Sequence, residues 1–239
     1  MTTSLRPVQT RYLGGACRGD HTGSVAQDIS TGFIPSVNGF AFSNSWPSVP
    51  AVSIPLVFTS LGIGNAARGL CGGMVYAALD YWYAGVVPPT ARPAAGTPLF
   101  RFIVRRLVDS WQVPVGVSRY YWWMQLSDVA ARHQTISEQW PAIKAKLDAG
   151  VPATLGVVTV ASANPMQLGA NHQVVACAYS VAGSEVTLGV YDPNSGPADD
   201  IWIRFSAAGA GGFAHNLGLS RPVRGFFLTT YSPVQPPTR

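Results

Sequence analysis

At Gly150 the hydrophobic period of the chain changes from about 3.6 residues to about 2, and this switch restricts the fold more than any other feature. Upstream, Met74, Ala77, Ala78, Tyr81 and Trp82 recur at helical spacing, which predicts a helix over 71–84 stopped by Gly85. Thr97 followed by Pro98 predicts the cap and first position of a second helix. Its inward stripe would carry Phe100, Ile103, Val104, Leu107, Val108 and Trp111. A third helix is expected over about 138–149, with Trp140, Ile143 and Leu147 inward and Pro141 in its first turn. Downstream, alternation predicts strands over 153–160, 172–180, 185–191, 201–205 and 225–231. Turn signals at Ala182-Gly183-Ser184 and Pro193-Asn194-Ser195-Gly196 separate them. Helices first and a mostly antiparallel sheet second make an α+β protein, with N-terminal helices packed on the sheet.

Nothing between 60 and 231 reads as a linker, so one domain is expected over 1–239. Residues 1–60, rich in Gly, Ser, Asn, Thr and Pro, are expected to wrap loosely around a core formed by 61–231. The net charge of +5 rests on scattered arginines, because Lys144 and Lys146 are the only lysines. Without a basic run or a nucleic-acid motif, nucleic acid is not an expected partner. No apolar run reaches the roughly 18 residues of a membrane span. The start MTTSLRPVQTRYLGG lacks the apolar centre of a secretory signal. Cys17, Cys71 and Cys177 are too few and too far apart for a disulfide framework or a CxxC metal site. A cytoplasmic location is the expectation, with secretion by a leaderless route as the alternative.

Chemistry is suggested by ARGLCGGMVYAALDYWYAG, residues 67–85, where one cysteine sits between glycines at the start of a helix. Thiolates are the reactive form of cysteine, and free N–H groups at a helix N-terminus favour them. Gly69, Gly72 and Gly73 let the backbone bend and a substrate approach. Cys71 also fits a small buried residue beside packing glycines. Of the four histidines, His172 alone starts a strand, whereas His21, His133 and His215 fall in loops or after a helical piece. Alternation puts His172, Val174, Ala176 and Ala178 on one face of that strand. Gln173, Val175 and Cys177 fall on the other, so Cys177 is read as core. The next strand ends in YDPNSG, and hairpin pairing brings Asp192 opposite the start of the His172 strand. Taken singly, a strand histidine is more often structural, and Asp-Pro-Asn-Ser-Gly is ordinary turn chemistry. Asn65 lies six residues before Cys71 and offers an amide for an oxyanion.

Taken together, the Gly-x-Cys-Gly helix start, the His-x-Val-Val strand and the Asp-Pro turn resemble the papain-like cysteine peptidase superfamily. The pair NHQVVACAY and VTLGVYDPNSG, with LDAGVP before a strand, is most similar to the bacteriocin-processing (double-glycine) peptidase branch. The resemblance covers about 65–200 and implies a papain-like fold. It implies Cys71 as nucleophile, His172 as general base and then acid, and Asp192 as the residue that orients His172. Asn65 with the Cys71 backbone N–H would be the oxyanion donors, although the superfamily usually carries Gln at that position. The implied function is hydrolysis of a peptide or other amide through a thioacyl intermediate, on a peptide or protein substrate, without metal or organic cofactor. A papain-fold binding protein that has lost catalysis and an acyltransferase with the same triad are the alternatives. Arg68 and the run Tyr120, Tyr121, Trp122, Trp123 could shape a cleft, or the aromatics could be core.

Overall fold

A computed structural model describes residues 27–46, 53–56, 59–62, 69–112 and 115–237. In chain order its elements are β1 (Gln27–Ser30), α1 (Pro35–Asn38), β2 (Ser53–Leu56), β3 (Thr59–Gly62), α2 (Cys71–Tyr83) and α3 (Pro98–Trp111). These are followed by α4 (Val115–Gln125), α5 (Asp128–Gln134) and α6 (Trp140–Asp148). The strands β4 (Ala153–Val158), β5 (His172–Ala182), β6 (Glu185–Tyr191), β7 (Trp202–Ser206), β8 (Ala214–His215) and β9 (Gly225–Leu228) complete the described chain.

Antiparallel pairing gives a curled sheet in the order β8-β7-β6-β5-β4-β9. The central strand β5 takes β6 along one edge, while β4 and then β1 share the other, pairing with His172–Ala176 and Ala178–Val181 respectively. Helices cover both faces. The α2–α3 pair packs on Val175 and Cys177, and α6 packs on Val174, Ala176 and Tyr179. The molecule is therefore α+β, as the change of period at Gly150 predicts.

Helix α2 is buried along Cys71–Tyr81, so no amphipathic stripe is needed to hold it. Its first turn must be glycine for steric reasons. A Cβ at Gly73 would stand 2.1 Å from the Ile103 carbonyl oxygen of α3, and one at Gly72 would stand 2.4 Å from Ser110 Oγ. The second expected helix starts where the sequence puts it, with Thr97 accepting from the Phe100 N–H and Pro98 in the first turn. Its core stripe is narrower than expected. Phe100, Ile103 and Leu107 are buried, while Val104, Val108 and Trp111 are half-buried and Arg106 and Ser110 take buried places.

Three expectations need correction. The helix expected over 138–149 is the end of a longer run in which α5, a π-helical turn (Thr135–Gln139) and α6 follow without interruption. That turn has a tertiary purpose: Thr135 Oγ1 and Gln139 Oε1 accept from the Phe226 and Leu228 N–H groups of edge strand β9. Secondly, a bulge between Ala176 and Ala178 reverses the alternation of β5, so Tyr179 rather than Ala178 joins the face of Val174 and Ala176. Thirdly, residues 27–46 are no loose wrap. β1 belongs to the sheet, and Phe33, Phe40, Phe42 and Trp46 are buried in the core around α2. Helix α4, which periodicity does not announce, buries Tyr120, Trp123 and Met124 beside Val158 and Phe227 and leaves Trp122 exposed. Among the described residues no helix is long and apolar enough to cross a membrane.

Candidate functional site

The N-terminus of α2 and the start of β5 meet at one end of the sheet. Helix α2 begins with Cys71, and Leu70 before it supplies no side-chain cap to the first turn. The glycines at 72 and 73 let this end of the helix approach α3 and Gln173 of β5 closely. His172 is the first residue of β5, and Asp192 follows the last residue of β6. Because β5 and β6 are antiparallel neighbours, these positions lie at the same end of the sheet.

His172 Nε2 lies 2.7 Å from Asp192 Oδ1, with both side chains buried. The Cys71 sulfur lies close enough to the same ring to help raise its pKa. With Nε2 engaged by Asp192, the nitrogen left for sulfur is Nδ1. Asp192 also accepts from the Asn194 and Gly218 N–H groups, each at 2.8 Å, and from Ser195 Oγ at 3.1 Å. A carboxylate with four donors is held as an acceptor, which places the proton on Nε2. Burial alone would pull the Asp192 carboxyl up. The charge of His172 and these hydrogen bonds more than offset it and hold the group below the usual range. For His172, burial opposes the charged ring most strongly, yet Asp192 and Cys71 together raise its pKa to about 10. The imidazolium is thus the favoured form near neutrality, poised between a carboxylate and a sulfur.

Compared with protein-family models, with curated proteins and with solved structures, the chain finds no match in any of the three.

The structure brings three of the four candidate residues, Cys71, His172 and Asp192, into one contiguous set. The fourth, Asn65, lies outside the described residues, as do Arg68, Cys17 and His21. Cys177 is core: its sulfur faces the Gly189 carbonyl at 3.4 Å, and burial pushes its pKa up to about 12. His133 is exposed, and His215 sits on the short strand β8 opposite Ile203. Among the described residues no three His, Cys, Asp or Glu side chains converge as a metal cage.

Five contributors have weaker sequence signals. The Asp-Pro-Asn-Ser run already contains the local turn bonds from Asn194 and Ser195 to Asp192. Gly218 reaches Asp192 from 26 residues away and has no local signature. Buried Gln173 donates to Ser110 Oγ at 3.1 Å, tying the second residue of β5 to α3 beneath Gly72. Tyr120 of α4 places its hydroxyl 3.2 Å from the His172 carbonyl.

Proposed function

We propose that this protein is a papain-like thiol hydrolase that cleaves a peptide or other amide bond through a thioacyl intermediate. What carries the proposal is the His172 ring held between the Cys71 thiol and a fully hydrogen-bonded Asp192 carboxylate. In the proposed reaction the Cys71 thiolate attacks the substrate carbonyl carbon. His172 gives its Nδ1 proton to the nitrogen as the C–N bond breaks, and the amine departs. Water then attacks the thioester, His172 takes its proton, and the C–S bond breaks to release the acid and restore the thiolate beside the imidazolium. Asp192 keeps the ring oriented and stabilises its charge throughout. The oxyanion would be met by the Cys71 backbone N–H and by the Asn65 amide.

The deciding experiment pairs an iodoacetamide probe with a panel of peptide and ester substrates. At about pH 6, Cys71 is expected to alkylate far faster than Cys177, and His172→Ala to remove the advantage. Comparable rates for the two thiols in the native protein would sink the proposal. Asn65→Ala is expected to lower kcat by about 10²-fold while labelling of Cys71 persists, because alkylation develops no oxyanion. Fast labelling with no turnover would point to a binding protein that has lost catalysis. Product formed only when an amine acceptor is supplied would point to an acyltransferase.

A further inference from the structure

From the packing beneath the site we infer that Tyr120 is a positioning residue, its hydroxyl holding the His172 backbone so that the imidazole stays against Cys71. The inference rests on the proposed hydrolase chemistry. Three features carry it.

His172 is the first residue of β5, where a strand is most prone to fray. Its backbone pairs with Val157 of β4 and, with no ladder beyond it, is further held by side chains. The Tyr120 hydroxyl donates to the His172 carbonyl at 3.2 Å in a fully buried setting. Just before it, Asn171 Oδ1 accepts from the Thr159 N–H at 3.1 Å. Removing the Tyr120 hydroxyl would leave that buried carbonyl to its strand pairing with Val157 alone, at the residue whose side chain must stay in place.

The slot for this hydroxyl is kept open at Gly156 on β4. A Cβ there would stand 2.6 Å from Tyr120 Oη and 2.6 Å from the Phe227 ring, which packs edge-on against Tyr120 with centroids 4.7 Å apart. Glycine inside a strand weakens it and commonly marks a close approach, here that of the phenol.

Burial above all, and then the nearby Cys71, raise the Tyr120 pKa and keep the phenol protonated and a donor. The ionisable groups facing the dyad are then Asp192 from the loop after β6, Tyr120 from α4 and, through Tyr120, Tyr76 of α2 and Arg119 of α4. Only Tyr120 joins α4 to the His172 backbone.

The test is the pH profile of Cys71 alkylation by iodoacetamide in the intact chain, wild type against Tyr120→Phe. A loosened His172 would pair less well with sulfur. The rate at about pH 6 is expected to fall about tenfold relative to the rate at about pH 9, with native circular dichroism retained. A purely structural role would lower the melting temperature and leave that ratio unchanged, so superimposable profiles would overturn the inference. Gly156→Ala crowds the same hydroxyl and should give the same low-pH loss. It supplies the readout if Tyr120→Phe does not fold, and a wild-type profile in a folded Gly156→Ala protein would equally overturn it. If wild-type Cys71 shows no advantage over Cys177, the hydrolase proposal itself has failed, an outcome distinct from equal profiles in wild type and variant.

Discussion

Helix α2 carries two buried charge clusters, one at its first residue and one in its third turn, and they are built for different purposes. In the second, Arg106 Nε lies 2.6 Å from Asp80 Oδ2. Asp80 Oδ1 accepts from Arg106, from the Tyr231 hydroxyl at 2.7 Å and from the Val234 N–H at 2.9 Å. Arg106 also donates to the Ser232 carbonyl and lies over the rings of Tyr76 and Tyr231. These contacts clasp the segment after β9 onto α2 and α3. At the first cluster the cation is a histidine, and one ring nitrogen faces sulfur instead of closing the network. Arginine does not lose its proton at any accessible pH, whereas histidine exchanges one readily. One cluster is a permanent clasp; the other retains a proton that can move.

The sharpest way to break this contrast is to neutralise the two aspartates in turn. Asp192→Asn is expected to lower kcat on a peptide or ester by about 10²–10⁴-fold, because the ring loses its orientation and its charge partner. Asp80→Asn is expected to leave Cys71 labelling unchanged. It should instead cost about 3–5 kcal/mol in urea titration, since buried Arg106 is left with only the more exposed Asp109 as its anion. An Asp80→Asn protein with normal stability but lost labelling would reverse the two assignments.

A smaller effect is expected where α2 is seated. Alanine is the better helix former, but at position 73 its Cβ would meet the Ile103 carbonyl, so the clash outweighs propensity. Gly73→Ala should destabilise by about 1–3 kcal/mol by overpacking. A melting temperature equal to or above wild type would show that α2 and α3 can separate freely.

The smallest effect is the pH dependence of stability, and its sign differs between His172 and Asp192 of the first cluster. The His172 pKa is raised in the fold, so its contribution is complete below its ordinary value of 6.5 and is lost as pH rises through about 10. The Asp192 pKa is lowered, so its contribution is present above the ordinary carboxylate value and is lost as pH falls through the folded one. Melting temperatures from about pH 7 to about pH 11 should therefore converge for wild type and His172→Gln, while Asp80→Asn keeps the alkaline fall. A gap between wild type and His172→Gln that stays constant over that range would contradict the raised His172 value.

Much of the site was legible in the chain because its determinants are local. Helix α2 starts at Cys71, β5 starts at His172, and Asp192 directly follows the next strand of a hairpin, whose geometry brings those ends together. Periodicity, caps and turn residues act between near neighbours, so sequence alone determined the α+β layout, the Thr97 cap and this triplet. The supporting contacts join residues with no sequence relation. Gly218 reaches Asp192, Tyr120 reaches the His172 carbonyl, and Thr135 caps β9 from inside a π-helical turn. Helix α4 was illegible because VGVSRYYWWMQ mixes aromatic and polar residues without a clean stripe, its burial being set by β4 and β9. The bulge in β5 reversed the alternation beyond Ala176, since one extra residue exchanges the faces of all that follow. Which residues may begin a helix or a strand is decided by their neighbours in the chain; which side chains then hold His172 in place is decided by packing across the fold.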